Sequence, residues 1–213
     1  LMQPRVILFD LDGTLTDSAP GIIRCVEESL RPFGVTVDPA VVTGFIGPPL
    51  TWSYPHYCGL TPEETTRAVA LFQERYARAG KFENSVYAGI PETLAALRGR
   101  GYVLGVATSK PEVFAKEIIG HFALDGNFDV IAGSELDEGG TKADVIRAAL
   151  AALNATPEET AMVGDRRHDM IGAREVGATG VGALWGFGDE QELTESGAAA
   201  LAATPADLLR IFA

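Results

Sequence analysis

Basic residues are scarce in this chain: 17 Lys and Arg stand against 29 Asp and Glu, a formal charge of −12 over 213 residues. A nucleic-acid surface normally carries a basic face, so no nucleic acid polymer is expected as a partner. A small anionic ligand stays open, because a few local cations would suffice for it. Cysteine is scarcer still. Cys25 and Cys58 have neither CxxC nor Cys/His spacing, so two free thiols in a reducing compartment are expected. Histidine is equally thin: His56, His121 and His168 lie far apart and give no ground for a zinc site. No apolar run approaches the roughly 18 residues of a membrane span, so no membrane partner is expected. No basic stretch leading into an apolar one opens the chain, and the expected location is cytoplasmic.

What is present points to an α/β chain. Residues 5–10 read as a buried strand, apolar on both faces as central parallel strands are. Similar short runs recur as YVLGVATS (102–109), FDVIAGSE (128–135), TAMVGD (160–165) and TGVGALWG (179–186). Helical patterns separate them, PEVFAKEIIGHF (111–122) and KADVIRAALAAL (142–153), each with apolar residues three and four apart. Strand and helix in alternation imply right-handed βαβ units and a parallel sheet.

Residues 18–88 break this rhythm and read as an all-helical insert between residues 1–17 and 89–213 of the core. One helix is expected from about Ser18 to Phe33 and another from Pro62 to about Ala79. The second opens on Thr61 and Glu64 as a capping box, with Val69, Phe72 and Tyr76 on one stripe. Thr-Pro-x-acid recurs at Thr156 and Thr204 without a repeat period, so these read as independent helix starts.

In open parallel sheets, ligands bind beyond the carboxyl ends of the strands. The first strand ends in Asp10-Leu11-Asp12 and the second in Thr108-Ser109-Lys110. A later strand ends in Gly164-Asp165, with Asp169 beyond it, and Lys142 opens a helix. Asp10 and Asp12 share a face, where they repel unless a cation lies between them or one holds a proton. Four carboxylates without sulfur or imidazole suit a hard ion, Mg²⁺ better than Ca²⁺, and Mg²⁺ favours phosphate oxygens. Lys142 and Thr108 supply the charge and hydrogen bonding that a phosphoryl group needs. GVGALWG (180–186) lacks the spacing of a dinucleotide fingerprint and reads as a tight loop after a strand. His168 reads as a helix-start residue, and Arg166 and Arg167 as surface or salt-bridge residues.

In DLDGTLTDS (10–18), VATSK (106–110), the lysine of GGTKADV (139–145) and VGDRRHDMIGA (163–173), the chain resembles the haloacid dehalogenase superfamily, motif by motif and in order. FDLDGTLTDSAPGI, FIGPPL, ATSKPEVFA, GSELD and ALWGFG are similar to its phosphoglycolate phosphatase-like group, especially the 5′-nucleotidase-like branch. The resemblance implies a Rossmann-like core, a central parallel sheet flanked by helices, with the insert as a small helical cap of the C1 type.

It also implies Asp10 as nucleophile and Asp12 as general acid and base. Mg²⁺ would be held by the Asp10 carboxylate, the Asp12 backbone carbonyl and Asp165. Thr108, the Ser109 amide and Lys142 would hold phosphoryl oxygens, with Asp169 as a supporting residue and Gly13 in the turn leaving the strand. The Gly-rich approach to Lys142 departs from the Lys or Ser-Thr run common in relatives. Enzymes of the superfamily that displace halide lack the second aspartate of the first motif, so Asp12 favours phosphoryl chemistry. The expected activity is hydrolysis of a small phosphate monoester, a 5′-nucleotide or a phosphoglycolate-like metabolite. A phosphomutase and a non-catalytic phosphate-binding domain remain as alternatives. Selectivity is expected from the cap, with Phe45, Ile46, Pro48 and Leu50 as candidates. Monomer and homodimer are both compatible with the sequence.

Overall fold

The computed structural model describes residues 4–46, 50–134 and 140–213. Eight strands are present among them: β1 (Val6–Phe9), β2 (Thr16–Asp17), β3 (Ser85–Val86), β4 (Val103–Pro111), β5 (Val130–Ser134), β6 (Thr160–Gly164), β7 (Thr179–Ala183) and β8 (Ala200–Ala202). Six form one sheet in the order β5-β4-β1-β6-β7-β8, every neighbouring pair parallel. The chain divides into two compact units, one made by everything up to Asp17 and from Val86 onward, the other by Ser18–Ser85.

The first unit holds the sheet. β1 lies at its centre with all four residues fully buried, and alternate side chains feed opposite layers. Ile7 and Phe9 pack with Leu94 and Leu97 of α5 (Ile90–Gly99), Ile118 and Ile119 of α6 (Glu112–His121), and Leu208 of α10 (Leu208–Ile211). Val6 and Leu8 pack on the other face with Val145, Ile146 and Ala149 of α7 (Lys142–Leu153) and Ala173 of α8 (Arg167–Val176). A sixth helix, α9 (Glu190–Glu195), follows β7.

The strand order reverses about β1. The chain first builds outward through β4 and β5, then crosses to build β6, β7 and β8 on the other side. Phe9 is in register with Val106 of β4 and Val163 of β6. Asp10, Thr108 and Asp165 therefore emerge at one carboxyl edge, where the reversal opens a crevice.

The second unit is built from α1 (Ala19–Leu30), α2 (Pro39–Val42), α3 (Leu50–Cys58) and α4 (Pro62–Arg78). The expected first helix ends earlier than Phe33, because Arg31–Phe33 tightens into a 3₁₀ turn that closes on Gly34 at φ +66°. The second has the expected capping box: Glu64 N–H donates to Thr61 Oγ1 at 3.3 Å and Thr61 N–H to Glu64 Oε2 at 2.9 Å. No helix among the described residues is long and apolar enough to cross a membrane.

Candidate active site

Asp10 follows β1 directly, its N–H donating to the Val163 carbonyl at 2.9 Å. Its Oδ1 accepts the Leu11 N–H at 2.8 Å and lies 2.9 Å from Lys142 Nζ. Lys142 is the first residue of α7, positioned by Thr141 and Asp144 as a capping box. Its ammonium also donates to the Ala107 carbonyl at 3.0 Å and lies 2.7 Å from Asp169 Oδ1. One lysine, its side chain 4% exposed, thus ties together β4, the end of β1 and the start of α8.

Asp165, fully buried after β6, takes the Thr14 hydroxyl on Oδ1 at 3.0 Å and the Phe187 N–H on Oδ2 at 2.9 Å. Gly13 is required beside it on two counts. Its φ is +81°, and a Cβ there would stand 2.2 Å from Asp165 Oδ2. A Cβ at Gly186 would likewise meet Asp165 Cβ at 2.3 Å.

Carboxyl oxygens of Asp10, Asp165 and Asp169 lie within 4.8 Å of one another. Burial, then the charges of Asp169 and Asp10, push the Asp165 carboxyl up to about 8. Burial also raises Asp10, against the pull of Lys142 and with help from Asp169. For Lys142, burial favours the neutral amine, but the Asp10 and Asp169 carboxylates outweigh it and leave the ammonium above its usual range. Three carboxylates around one ammonium leave uncompensated negative charge in a dry crevice. A hard divalent cation among these oxygens would relieve it, so the donor set fits Mg²⁺.

Asp12 belongs to the same edge but has its own partner: Oδ2 lies 2.9 Å from Lys110 Nζ. Thr108 is buried, and its hydroxyl accepts the Lys110 N–H at 3.2 Å. Ser109 is exposed, and its carbonyl accepts the Ser134 hydroxyl at 2.8 Å. His168 is exposed near the start of α8. Arg166 pairs with Glu192 of α9 at 2.9 Å.

Of the cap candidates, Phe45 and Ile46 are buried within the helical unit, and the Phe45 ring packs 5.3 Å from those of Tyr54 and Tyr57. Leu50 is half-buried, and Pro48 lies outside the described residues.

Sequence reasoning gave no role to Thr14, Lys110, Trp185 or Phe187. The loop after β7 crosses to the turn that follows β1, where Trp185 Nε1 donates to the Thr14 carbonyl at 2.9 Å. The signal available was ALWGFG, whose two glycines allow the loop to press against Asp165.

The family described as haloacid dehalogenase-like hydrolase matches residues 7–183. The chain belongs to that family. A 5′-nucleotidase of Pseudomonas aeruginosa is 47% identical over 189 residues, 88% of this chain and 86% of that protein. Phosphoglycolate phosphatase 1 of the same organism is 31% identical over 204 residues, 90% of this chain and 74% of its own. Among solved structures, protein tyrosine kinase A of Mycobacterium tuberculosis superposes with a TM-score of 0.85 at 37% identity, covering 99% of this chain and 98% of that one. This haloacid dehalogenase-like hydrolase is an enzyme of the phosphatase group, with the parallel core the sequence led one to expect.

Proposed function

We propose that this hydrolase cleaves small phosphate monoesters, 5′-nucleotides first among them, in a Mg²⁺-dependent reaction through a phosphorylated Asp10. The observation that carries the proposal is the pairing pattern at the carboxyl edge. Two aspartates one residue apart sit on two different lysines, so each is free for a different task. Both contacts of the Asp10 carboxylate fall on Oδ1, which leaves Oδ2 for the phosphorus.

Oδ2 attacks in line, the bond from phosphorus to the ester oxygen breaks, and Asp12 gives that oxygen a proton. Water then attacks the aspartyl phosphate and Asp12 takes its proton back. Inorganic phosphate leaves and Asp10 is restored. Lys142 and the Thr108 hydroxyl hold the phosphoryl oxygens during both steps, and Asp169 keeps Lys142 in place. Mg²⁺ would be held by Asp10, the Asp12 carbonyl and Asp165, and would supply neutralising charge between the anionic nucleophile and the anionic ester.

Substrate choice we assign to the helical unit, Ser18–Ser85, as the cap expected over residues 18–88. There Phe45, Ile46, Pro48 and Leu50 are the candidates to select a base or sugar. The 5′-nucleotidase relative supports a nucleotide. The likeness to protein tyrosine kinase A favours one further reading, in which a hydroxyl acceptor replaces water in the second step.

A panel of monoesters that includes a 5′-nucleotide and phosphoglycolate tests this, assayed with Mg²⁺, with chelator and with Asp10→Asn. Turnover is expected to vanish in both controls. Equal phosphate release by Asp10→Asn overturns the mechanism. Phosphate binding without release from any ester assigns the chain to a binding role. Transfer in place of hydrolysis shows as a phosphorylated acceptor.

A further inference from the structure

Lys110 has no part in the reaction as proposed, yet it is the cation on Asp12. It lies near the end of β4, where the pairing with β5 slips. Ala107 faces Ala132, but the next pair is Pro111 with Ser134, so β4 spends more residues than its partner between the two. Such a bulge re-aims the side chains it contains. Here it is pinned twice, by the Lys110 N–H on the Thr108 hydroxyl at 3.2 Å and by the Ser134 hydroxyl on the Ser109 carbonyl at 2.8 Å. Lys110 is thereby turned along the sheet edge, its side chain only 8% exposed, with Nζ 2.9 Å from Asp12 Oδ2.

The other oxygen is placed differently. Asp12 Oδ1 is buried and has no hydrogen-bond partner among the described residues. A buried carboxylate oxygen without a partner is costly unless a ligand supplies one.

We infer that Lys110 is a positioning residue for proton transfer: it clamps Asp12 Oδ2 so that Oδ1 stays aimed at the ester oxygen of the bound substrate. The inference rests on the phosphomonoesterase reading above and adds to it the group that sets the general acid. Without the clamp the carboxylate turns about its side-chain bonds, and a misplacement of about 1 Å costs roughly 10²-fold in a positioned step. The loss falls on esters whose leaving oxygen needs a proton. An aryl phosphate with an acidic phenol departs without one and is spared.

The test compares kcat/KM, which reports phosphorylation of Asp10, for an alkyl phosphate and p-nitrophenyl phosphate in the full chain with Mg²⁺. Lys110→Met is expected to lose about 10- to 100-fold on the alkyl ester and less than about 3-fold on the aryl ester. Lys110→Arg should recover most of the loss. Should Lys110→Met not fold, Lys110→Gln retains an uncharged N–H donor group and should show a smaller loss with the same selectivity. Asp12→Asn gives the reference, with the same selectivity in larger measure, and adding Lys110→Met to it should cost nothing more on the alkyl ester.

Equal losses on both esters, or additive losses in the double variant, overturn the inference and make Lys110 a phosphate ligand or a structural residue. If Asp12→Asn itself lacks the selectivity, or the unsubstituted chain turns over neither ester, the underlying reading fails, and the inference with it.

Discussion

Both units of the molecule bury charge, but they treat it in opposite ways. In the helical unit Arg75, its side chain 11% exposed, lies 3.0 Å from Glu28 Oε1 and 3.0 Å from Glu83 Oε2, and donates to Glu83 Oε1 at 3.0 Å. The Arg75 hydrogen bond outweighs burial and holds the Glu83 carboxyl below its ordinary range. At the sheet edge the carboxylates shift the other way: Asp10 is raised by burial and by Asp169, and Asp165 by burial, Asp169 and Asp10. The first cluster is internally matched and asks for nothing. The second contains more negative charge than its lysine can balance, the condition expected where a cation and a phosphoryl group are to bind. Burial is common to the two clusters; the direction in which their carboxyls shift is not.

Removing the cation from each cluster gives the largest contrast. Lys142 is nearly enclosed, so Lys142→Met strands carboxylates in a dry site and should cost about 3–5 kcal/mol at neutral pH in chelator. Arg75→Met should cost about 1–2 kcal/mol, because Glu28 and Glu83 are 39% and 26% exposed and water screens them. Urea unfolding with and without Mg²⁺ measures both. Added Mg²⁺ should return part of the loss in Lys142→Met and none in Arg75→Met. Equal costs, or an equal response to Mg²⁺, would erase the distinction.

The pH dependence sharpens the same contrast. Asp165 binds its proton more tightly in the folded chain, at about 8 against an ordinary value of 3.8. Its contribution is therefore present below about 4 and is lost as pH rises toward 8, with a slope of at most about 1.4 kcal/mol per pH unit. Glu83 is lowered, so its contribution is present above its ordinary value of 4.5 and is lost as pH falls through the folded value. In chelator, the melting temperature of Asp165→Asn should fall less than that of the parent between pH 5 and 8. Arg75→Met should differ from the parent most above pH 5 and converge with it in acid. A parent profile in chelator no steeper than that of Asp165→Asn would show that Asp165 is not held protonated.

The sheet was legible because its evidence is local. VILF, apolar on both faces, reads as a central strand without knowledge of its neighbours, and Asp10, Asp12 and Asp165 stand at ends that the same reading locates. β8 escaped because Ala200–Ala202 lies in an alanine-rich run, and alanine favours helix. The end of β4 was misjudged because a bulge leaves no mark in an apolar pattern. Lys110 and Trp185 were missed for a deeper reason. Their meaning lies in partners, Asp12 and the Thr14 carbonyl, that only the folded sheet brings near.

The smallest effect separates neutral local signals from both clusters. Thr-Pro-x-acid opens a helix at all three of its occurrences, but the helices differ in what they hold. At Thr61 it opens α4, a 17-residue helix. At Thr156 and Thr204 it opens three-residue 3₁₀ turns. A cap removes the cost of unpaired N–H groups at one end, typically about 1 kcal/mol, and that cost reaches the fold only through the helix it starts. Thr61→Ala should therefore lower stability by about 1 kcal/mol. Thr156→Ala and Thr204→Ala should cost less, since a single turn can fray without releasing a packed face. None of the three is among the residues assigned to the reaction, so kcat on the best monoester should stay at the parent value while melting temperatures shift. A fall in kcat with Thr61→Ala would mean that α4 order reaches the chemistry, and that the two units are less separate in function than their charge clusters are.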